Sequence, residues 1–347
     1  MDFFNGLKKL GFPRLTMVSV DVTTSCNLQC PHCIVSNEAR HDSPGFIDVD
    51  RFVSLIPELV RLRCRNVNLA GGEPLMHQGL RSIIRFCKQA GLNIVLYTNG
   101  TLLDEGFARF LRTYPVSRLI ISLYGASDEE YSELSAQGGA SLFSRIRSGV
   151  KAVRDMGIPH HLQVFCFKDK PDVHERLLQI FPEEKAIPQG WLVVPQSHSH
   201  DDNQRCMISA EDMAEHFRCR NSVLSPVVKS LRQYLYEKKA SFVCGAGLGG
   251  VHITSDFKIK PCLFIKDDAL TFSLDSHSLE EIFFEKMPAA IMRKISADGP
   301  CYNCSTRQFC RRCAALGYGT ERAGQGNQVL CRIARVMQEK DMRVFNL

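Results

Sequence analysis

The residues most able to do chemistry stand together in the run Cys26-Asn27-Leu28-Gln29-Cys30-Pro31-His32-Cys33. It places three thiols within eight residues, with three residues between the first pair and two between the second. The run follows a strand-like stretch, Met17 to Val22, so the thiols sit on a loop at a strand end. A four-iron cluster takes one thiolate per iron. Three cysteines with no fourth nearby therefore leave one iron open to a ligand that is not protein, and an open iron invites a substrate or cofactor. A zinc site completed by His32 or His41 is the competing reading, although zinc sites usually group their cysteines in CxxC pairs and this loop does not.

Two further groups carry chemical potential. Gly71-Gly72-Glu73-Pro74 follows a second strand-like run directly; its glycines let a ligand approach the backbone, and Glu73 offers a carboxylate to an ammonium group. Taken alone, a Gly-Gly pair is just a turn. Towards the C-terminus Cys244, Cys262, Cys301, Cys304, Cys310, Cys313 and Cys331 put seven thiols in a short region. Cys301-x2-Cys304-x5-Cys310-x2-Cys313 is too dense for core packing, and either two zinc sites or two iron–sulfur clusters suit it, since both accept thiolate tetrads. Cys64, Cys87 and Cys166 lie in helix- or strand-like runs and read as small apolar core residues. His198 and His200, in the polar run 196–203, read as part of an exposed loop.

These groups need a frame, and the periodicity supplies one. Strand-like runs at Met17 to Val22, Asn66 to Ala70, Asn93 to Thr98, Arg118 to Leu123, His161 to Cys166 and Gly190 to Val194 alternate with helix-like runs. The helices are expected at Val49 to Arg63, Gly79 to Ala90, Leu103 to Thr113, Leu142 to Met156 and Val173 to Phe181. Alternating βα units imply parallel strands and right-handed crossovers, hence an α/β fold that is either an open barrel of six units or a doubly wound sheet. Polar residues break the alternation after Pro195, before helical runs at Ser209 to Arg218 and Val227 to Lys238.

With 347 residues, 44% of them hydrophobic, the chain has the size of two domains with packed cores. No window approaches the roughly 18 consecutive apolar residues of a membrane helix, and no signal-peptide pattern opens the chain, so no stable membrane insertion is expected and a cytoplasmic, reducing location is. Phe3, Phe4, Leu7 and Leu10 recur at helical spacing beside Lys8 and Lys9; a capping helix is the favoured reading over a segment that touches a membrane or a partner. A charge of +6, spread along the chain, reads as an ordinary solvated surface with some bias toward anionic ligands; it does not argue for nucleic acid, and no nucleic-acid partner is expected.

The CxxxCxxC loop and, one βα unit later, the complete GGEP segment together resemble the radical S-adenosylmethionine (SAM) enzymes. The resemblance implies a partial (β/α)6 TIM-type barrel with its chemistry at the C-terminal strand ends. It also implies a 4Fe-4S cluster on Cys26, Cys30 and Cys33, whose open iron is chelated by the amino and carboxylate groups of SAM. Gly71, Gly72, Glu73 and Pro74 would bind the amino group, Asn99 in Thr98-Asn99-Gly100 would line the cavity, and Ser122 would face the ribose or carboxylate. His32, near the adenine, stands where an aromatic is usual; Tyr124 stands where many relatives carry Asp, and Ser135 where some carry an arginine for the SAM carboxylate.

The C-terminal array resembles the SPASM-type auxiliary-cluster domain, including Cys244-Gly-Ala-Gly, Lys258-Ile-Lys-Pro-Cys262 and Ser278-Leu-Glu-Glu-Ile282. That likeness implies two auxiliary 4Fe-4S clusters. Cys244, Cys262 and Cys313 would hold the inner one, completed by Cys206 or Cys219 or left open to substrate; Cys301, Cys304, Cys310 and Cys331 would hold the outer one. Phe257 replaces a usual glycine, and the Cys310–Cys313 spacing is one residue shorter than usual. The expected organisation is a partial barrel over 1–195, a bridge over 196–241 and a small cysteine-rich cluster-binding domain over 242–347.

The implied activity is reductive cleavage of SAM to a 5'-deoxyadenosyl radical that takes a substrate hydrogen atom, with an external one-electron donor such as flavodoxin or ferredoxin. Auxiliary clusters can accept an electron from the substrate, which favours oxidative modification, by analogy of a ribosomally made peptide. Against a peptide, the barrel begins by about Met17 and leaves no room ahead of it for a peptide-recognition domain. A radical SAM dehydrogenase, epimerase or decarboxylase acting on a sugar or other small molecule is the rival. Tyr124, Cys206, Cys219 and Tyr318 are the possible hydrogen or proton donors. A non-catalytic iron–sulfur carrier or zinc-stabilised module is the reading of another class, and the intact GGEP argues against it.

Overall fold

Period-two alternation in the strands sorts their side chains onto two faces. Val18, Val20 and Val22 of β1 (Met17–Thr23), Val67 and Leu69 of β2 (Asn66–Gly71), and Ile94 and Leu96 of β3 (Asn93–Thr98) are buried together in the main core. The residues between them, Ser19, Asp21, Asn68, Ala70 and Tyr97, are smaller or polar, half-buried, and turn to the other face. The computed structural model describes residues 2–30, 32–33, 45–134, 141–165, 171–184, 189–190, 209–215, 226–240, 243–265, 267–291, 301–310 and 328–343.

Strands β4 (Arg118–Leu123), β5 (His160–Phe165) and β6 (Gln189–Gly190) continue the parallel array, each hydrogen-bonded to the one before. The connecting helices are α1 (Asp2–Lys9), which precedes the array, then α2 (Val49–Arg61), α3 (Leu80–Gln89), α4 (Glu105–Thr113), α5 (Asp128–Ser132), α6 (Leu142–Asp155) and α7 (Val173–Ile180). Asp48, Asp104 and Ser127 cap α2, α4 and α5 by accepting from the backbone N–H three residues on, which sets where each helix begins. The α/β fold with parallel strands is the one expected, that of a partial TIM-type barrel. The expected Trp191 to Val194 part of the sixth strand, and Cys166, fall outside the described residues, as do 216–218 of the expected bridge helix. The later helical run is present as α8 (Pro226–Glu237).

The sheet does not end with the six barrel strands. Its order is β6-β5-β4-β3-β2-β1-β7-β8-β9, in which β7 (Gly250–Ile253) lies parallel to β1, and β8 (Lys258–Lys260) and β9 (Phe272–Ser273) follow antiparallel. The strand that leads into Cys26 is thereby hydrogen-bonded to β7, whose hairpin partner β8 leads into Cys262. A second, smaller core gathers Met213, Phe309, Ile333 and Met337, around the helix α9 (Gln328–Glu339) that bears Cys331.

Helix α1 is the expected cap: Leu7 is fully buried, and Phe3 packs on Tyr234 of α8, whose hydroxyl donates to the Phe3 carbonyl at 2.8 Å. Among the described residues no helix is long and apolar enough to cross a membrane.

Candidate active site

A cleft opens at the C-terminal ends of β1 to β5, with about 750 Å³ of empty space counted to its mouth. Cys26, Cys30 and Cys33 line it together with Gly71, Gly72, Pro74, Asn99 and Ser122, so the structure brings these sequence-predicted residues to one place. His32, Tyr124 and Phe165 form an aromatic wall beside the thiols, with ring centroids 4.8 Å apart for His32 and Tyr124 and 5.6 Å for Tyr124 and Phe165. Burial, with the Cys30 and Cys33 thiols close by, holds the Tyr124 phenol well above its ordinary range, so it enters the cleft as a neutral hydroxyl.

The two glycines are required by the chain's own backbone. A Cβ on Gly72 would stand 2.0 Å from the Ser25 carbonyl oxygen, and one on Gly71 2.2 Å from that of Thr23. Gly71 also has φ near +121°, a conformation L side chains avoid. The Gly72 and Glu73 N–H groups donate to the Thr23 and Ser25 carbonyls at 2.7 Å each. Those two donors are thereby spent within the chain.

Glu73 itself points elsewhere. Its carboxylate is fully buried and absent from the cleft wall. It accepts from the Leu75 N–H at 3.0 Å, the Thr98 hydroxyl at 2.7 Å and the Asn99 N–H at 2.7 Å, tying the end of β2 to the end of β3. Burial pushes the carboxyl up to about 7 against the pull of those donors. Three internal donors give this carboxylate a bracing role between the ends of β2 and β3.

Asn99 does more than line the cleft. Its amide donates to Asn27 Oδ1 at 2.9 Å and lies 3.9 Å from the Cys26 sulfur, while Asn27 Nδ2 donates to the Thr101 hydroxyl at 2.7 Å. This network pins the cysteine loop to the end of β3. Sequence reasoning misses Asn27, because nothing but its place between two cysteines marks it.

The C-terminal thiols fall into two neighbourhoods. Burial and then the nearby Cys244 push the Cys262 thiol up to about 11; burial, then Cys301 and Cys304, raise that of Cys331. Cys310 packs at the edge of the smaller core. Cys313, with Cys206, Cys219, Ser135, His198, His200 and Tyr318, lies outside the described residues. Among the described residues no three His, Cys, Asp or Glu side chains converge on a single ion's position. Cys64 and Cys87 are buried in the core, as expected.

Residues 20–179 match the radical SAM superfamily. This stretch is a radical SAM domain. The domain's family implies SAM and a 4Fe-4S cluster, and the cleft is chemically suited to both: three thiols share it with the Gly71-Gly72 turn and an aromatic wall. The AdoMet-dependent heme synthase of Methanosarcina barkeri is 24% identical over 333 residues, 88% of this chain and 92% of that protein. The antilisterial bacteriocin subtilosin biosynthesis protein AlbA of Bacillus subtilis is 21% identical over 346 residues, 95% of this chain and 74% of that protein. Streptococcus suis SuiB bound to S-adenosylmethionine has a similar fold, with a TM-score of 0.69 at 14% identity over 94% of this chain and 80% of that one. SuiB bound to its precursor peptide SuiA gives 0.68 at 13% identity, over 94% and 79% of the two chains. The likeness in fold thus runs past the radical SAM domain into the C-terminal half.

Proposed function

We propose that this chain is a radical SAM enzyme that oxidatively modifies a ribosomally made peptide, with two auxiliary clusters in its C-terminal part. The observation that carries the reading is the meeting of Cys26, Cys30 and Cys33 with Gly71, Gly72, Asn99 and Ser122 in one cleft. When bound, a 4Fe-4S cluster supplies an electron that cleaves SAM and so gives the radical that removes a substrate hydrogen atom. The three cysteines hold that cluster. The Gly71-Gly72 carbonyls receive the SAM ammonium, Pro74 closes the turn, and Ser122 faces the ribose or carboxylate. His32, Tyr124 and Phe165 take the adenine and exclude water. Glu73 braces the turn from behind and Asn99 holds the cysteine loop.

Cys244, Cys262 and Cys313 hold the inner auxiliary cluster, and Cys301, Cys304, Cys310 and Cys331 the outer one. The neighbouring of Cys262 with Cys244, and of Cys331 with Cys301 and Cys304, supports that division. The division of the chain at about 195 and 241 belongs to the same reading, as does an external one-electron donor. The peptide assignment draws on AlbA, a bacteriocin biosynthesis protein, and on SuiB with its precursor peptide. The heme synthase likeness over 88% of this chain supports a second reading, a small-molecule substrate. The deciding experiment incubates the reconstituted enzyme with SAM and the peptides and metabolites encoded near its gene. A peptide lighter by two hydrogens supports the first reading; a changed small molecule with every peptide untouched refutes it.

A further inference from the structure

The cysteine loop 301–310 is folded on its own backbone. The Arg307 N–H donates to the Cys304 carbonyl and the Cys310 N–H to the Arg307 carbonyl, both at 3.2 Å, so two successive turns carry the chain from one cysteine to the other. The loop is anchored at two points. Phe309, whose N–H donates to the Thr306 carbonyl at 3.0 Å, is 3% exposed in the smaller core with Ile333 of α9. Arg307 donates from Nη2 to the Tyr236 carbonyl of α8 at 2.7 Å, with its guanidinium 4.5 Å from the centre of the Tyr236 ring.

Thr306 precedes both anchors, and its hydroxyl lies 3.2 Å from the Cys304 sulfur. No other hydrogen bond of its side chain is found among the described residues. The thiol it meets is one of a group, since Cys331 of α9 has both Cys301 and Cys304 beside it. In a free thiol either atom of the pair can donate. A sulfur bound to iron has lost its proton, and the hydroxyl is then the donor. A donor aimed at a ligand sulfur draws electron density from a cluster and favours the state that holds one more electron.

We propose that Thr306 sets the reduction potential of the outer auxiliary cluster: its hydroxyl donates to the Cys304 sulfur and raises that potential, making the site a better acceptor of an electron given up by the substrate. The inference rests on the reading of Cys301, Cys304, Cys310 and Cys331 as the ligands of that cluster. The electron enters the four-iron group. The Thr306 O–H keeps its proton, and no bond at Thr306 forms or breaks.

The test is the midpoint potential of each cluster in the full chain, reconstituted anaerobically. Iron per chain is measured first, and electron paramagnetic resonance is then followed as the solution potential is stepped. Thr306→Val keeps the shape of the side chain and removes its hydroxyl. One midpoint, the one missing from the Cys331→Ala chain, is expected to fall, so that the reduced-to-oxidised ratio at a fixed potential drops roughly tenfold, about 59 mV for one electron. The other midpoints stay. Thr306→Ser keeps the hydroxyl and is expected to keep the wild-type value. A Val chain with wild-type iron and every midpoint unmoved overturns the proposal, as does a Ser chain that falls as far as the Val chain. Where Val does not hold the iron of the site, Thr306→Ala is read in the same way; loss of that iron from both assigns Thr306 to assembly of the site and also overturns the proposal. Wild-type iron separates this from the reading beneath it. A wild-type chain with only the SAM cluster's share of iron removes the outer cluster and the role of Thr306 with it, whereas full iron with unmoved midpoints removes the role of Thr306 alone.

Discussion

Glu73 ties the glycine turn of the cleft to the end of β3. Three donors converge on a fully buried carboxylate, and a glutamine there has to set an N–H₂ against at least one donor, the Asn99 N–H or the Leu75 N–H. Glu73→Gln is expected to lower stability by about 1–3 kcal/mol, read from chemical denaturation, and to weaken SAM binding indirectly. The pH dependence has a definite sign. A carboxyl raised to about 7 keeps a proton between its unfolded value of 4.5 and 7 that the unfolded chain has lost. Its contribution is therefore complete below the unfolded value and is lost as pH rises through 7, by at most about 3 kcal/mol. The Gln variant lacks that slope, so the gap between the two proteins should narrow from pH 4.5 to 7. Equal slopes would show that Glu73 is ionised throughout. The sequence marked Gly71-Gly72-Glu73-Pro74 as a site but not which way Glu73 faces, because two of its three donors, Thr98 and Asn99, lie at the end of β3, some 25 residues further on.

Among the elements, the β7–β8 hairpin joins the C-terminal cysteines to the barrel, and Phe257 at its turn carries the strain. Phe257 has φ 59°, a left-handed conformation that costs a non-glycine residue about 1–2 kcal/mol. Its ring offsets this by being 3% exposed in the main core, with the Arg51 guanidinium of α2 over it at 4.1 Å. A side chain that clamps the hairpin to α2 stands where glycine is usual. Removing the ring is expected to cost about 3–5 kcal/mol, and Phe257→Gly to be milder than Phe257→Ala by about 1 kcal/mol, since only glycine relieves the backbone. Thermal melts of the two variants check the order; Ala above Gly would mean the position is unstrained. The barrel strands were legible in the sequence to within about a residue for five of six, because each pairs an apolar run with a helical repeat. Strands β7 to β9 were not: at four, three and two residues they are too short for a period to register, and their partners lie far along the chain.

At the scale of the whole molecule, the sheet order puts β7 beside β1, so the strand that leads to Cys26 and the hairpin that leads to Cys262 share an edge. If the C-terminal thiols hold clusters of their own, Cys262→Ala should lower bound iron by one cluster's share while the Cys26, Cys30 and Cys33 site keeps its own; undiminished iron would remove Cys262 from the ligand set. Circular dichroism must first show that the variant folds, since metal–thiolate bonds also contribute folding energy. The central claim is that the cleft binds SAM and a cluster together. Its most direct measurement is the release of 5'-deoxyadenosine and methionine from SAM by the anaerobically reconstituted and reduced protein, without added substrate. Slow release of both is expected, and its loss when Cys26, Cys30 and Cys33 are replaced by Ala. An iron-loaded protein that neither binds nor cleaves SAM, or cleavage that survives the triple replacement, would contradict the account.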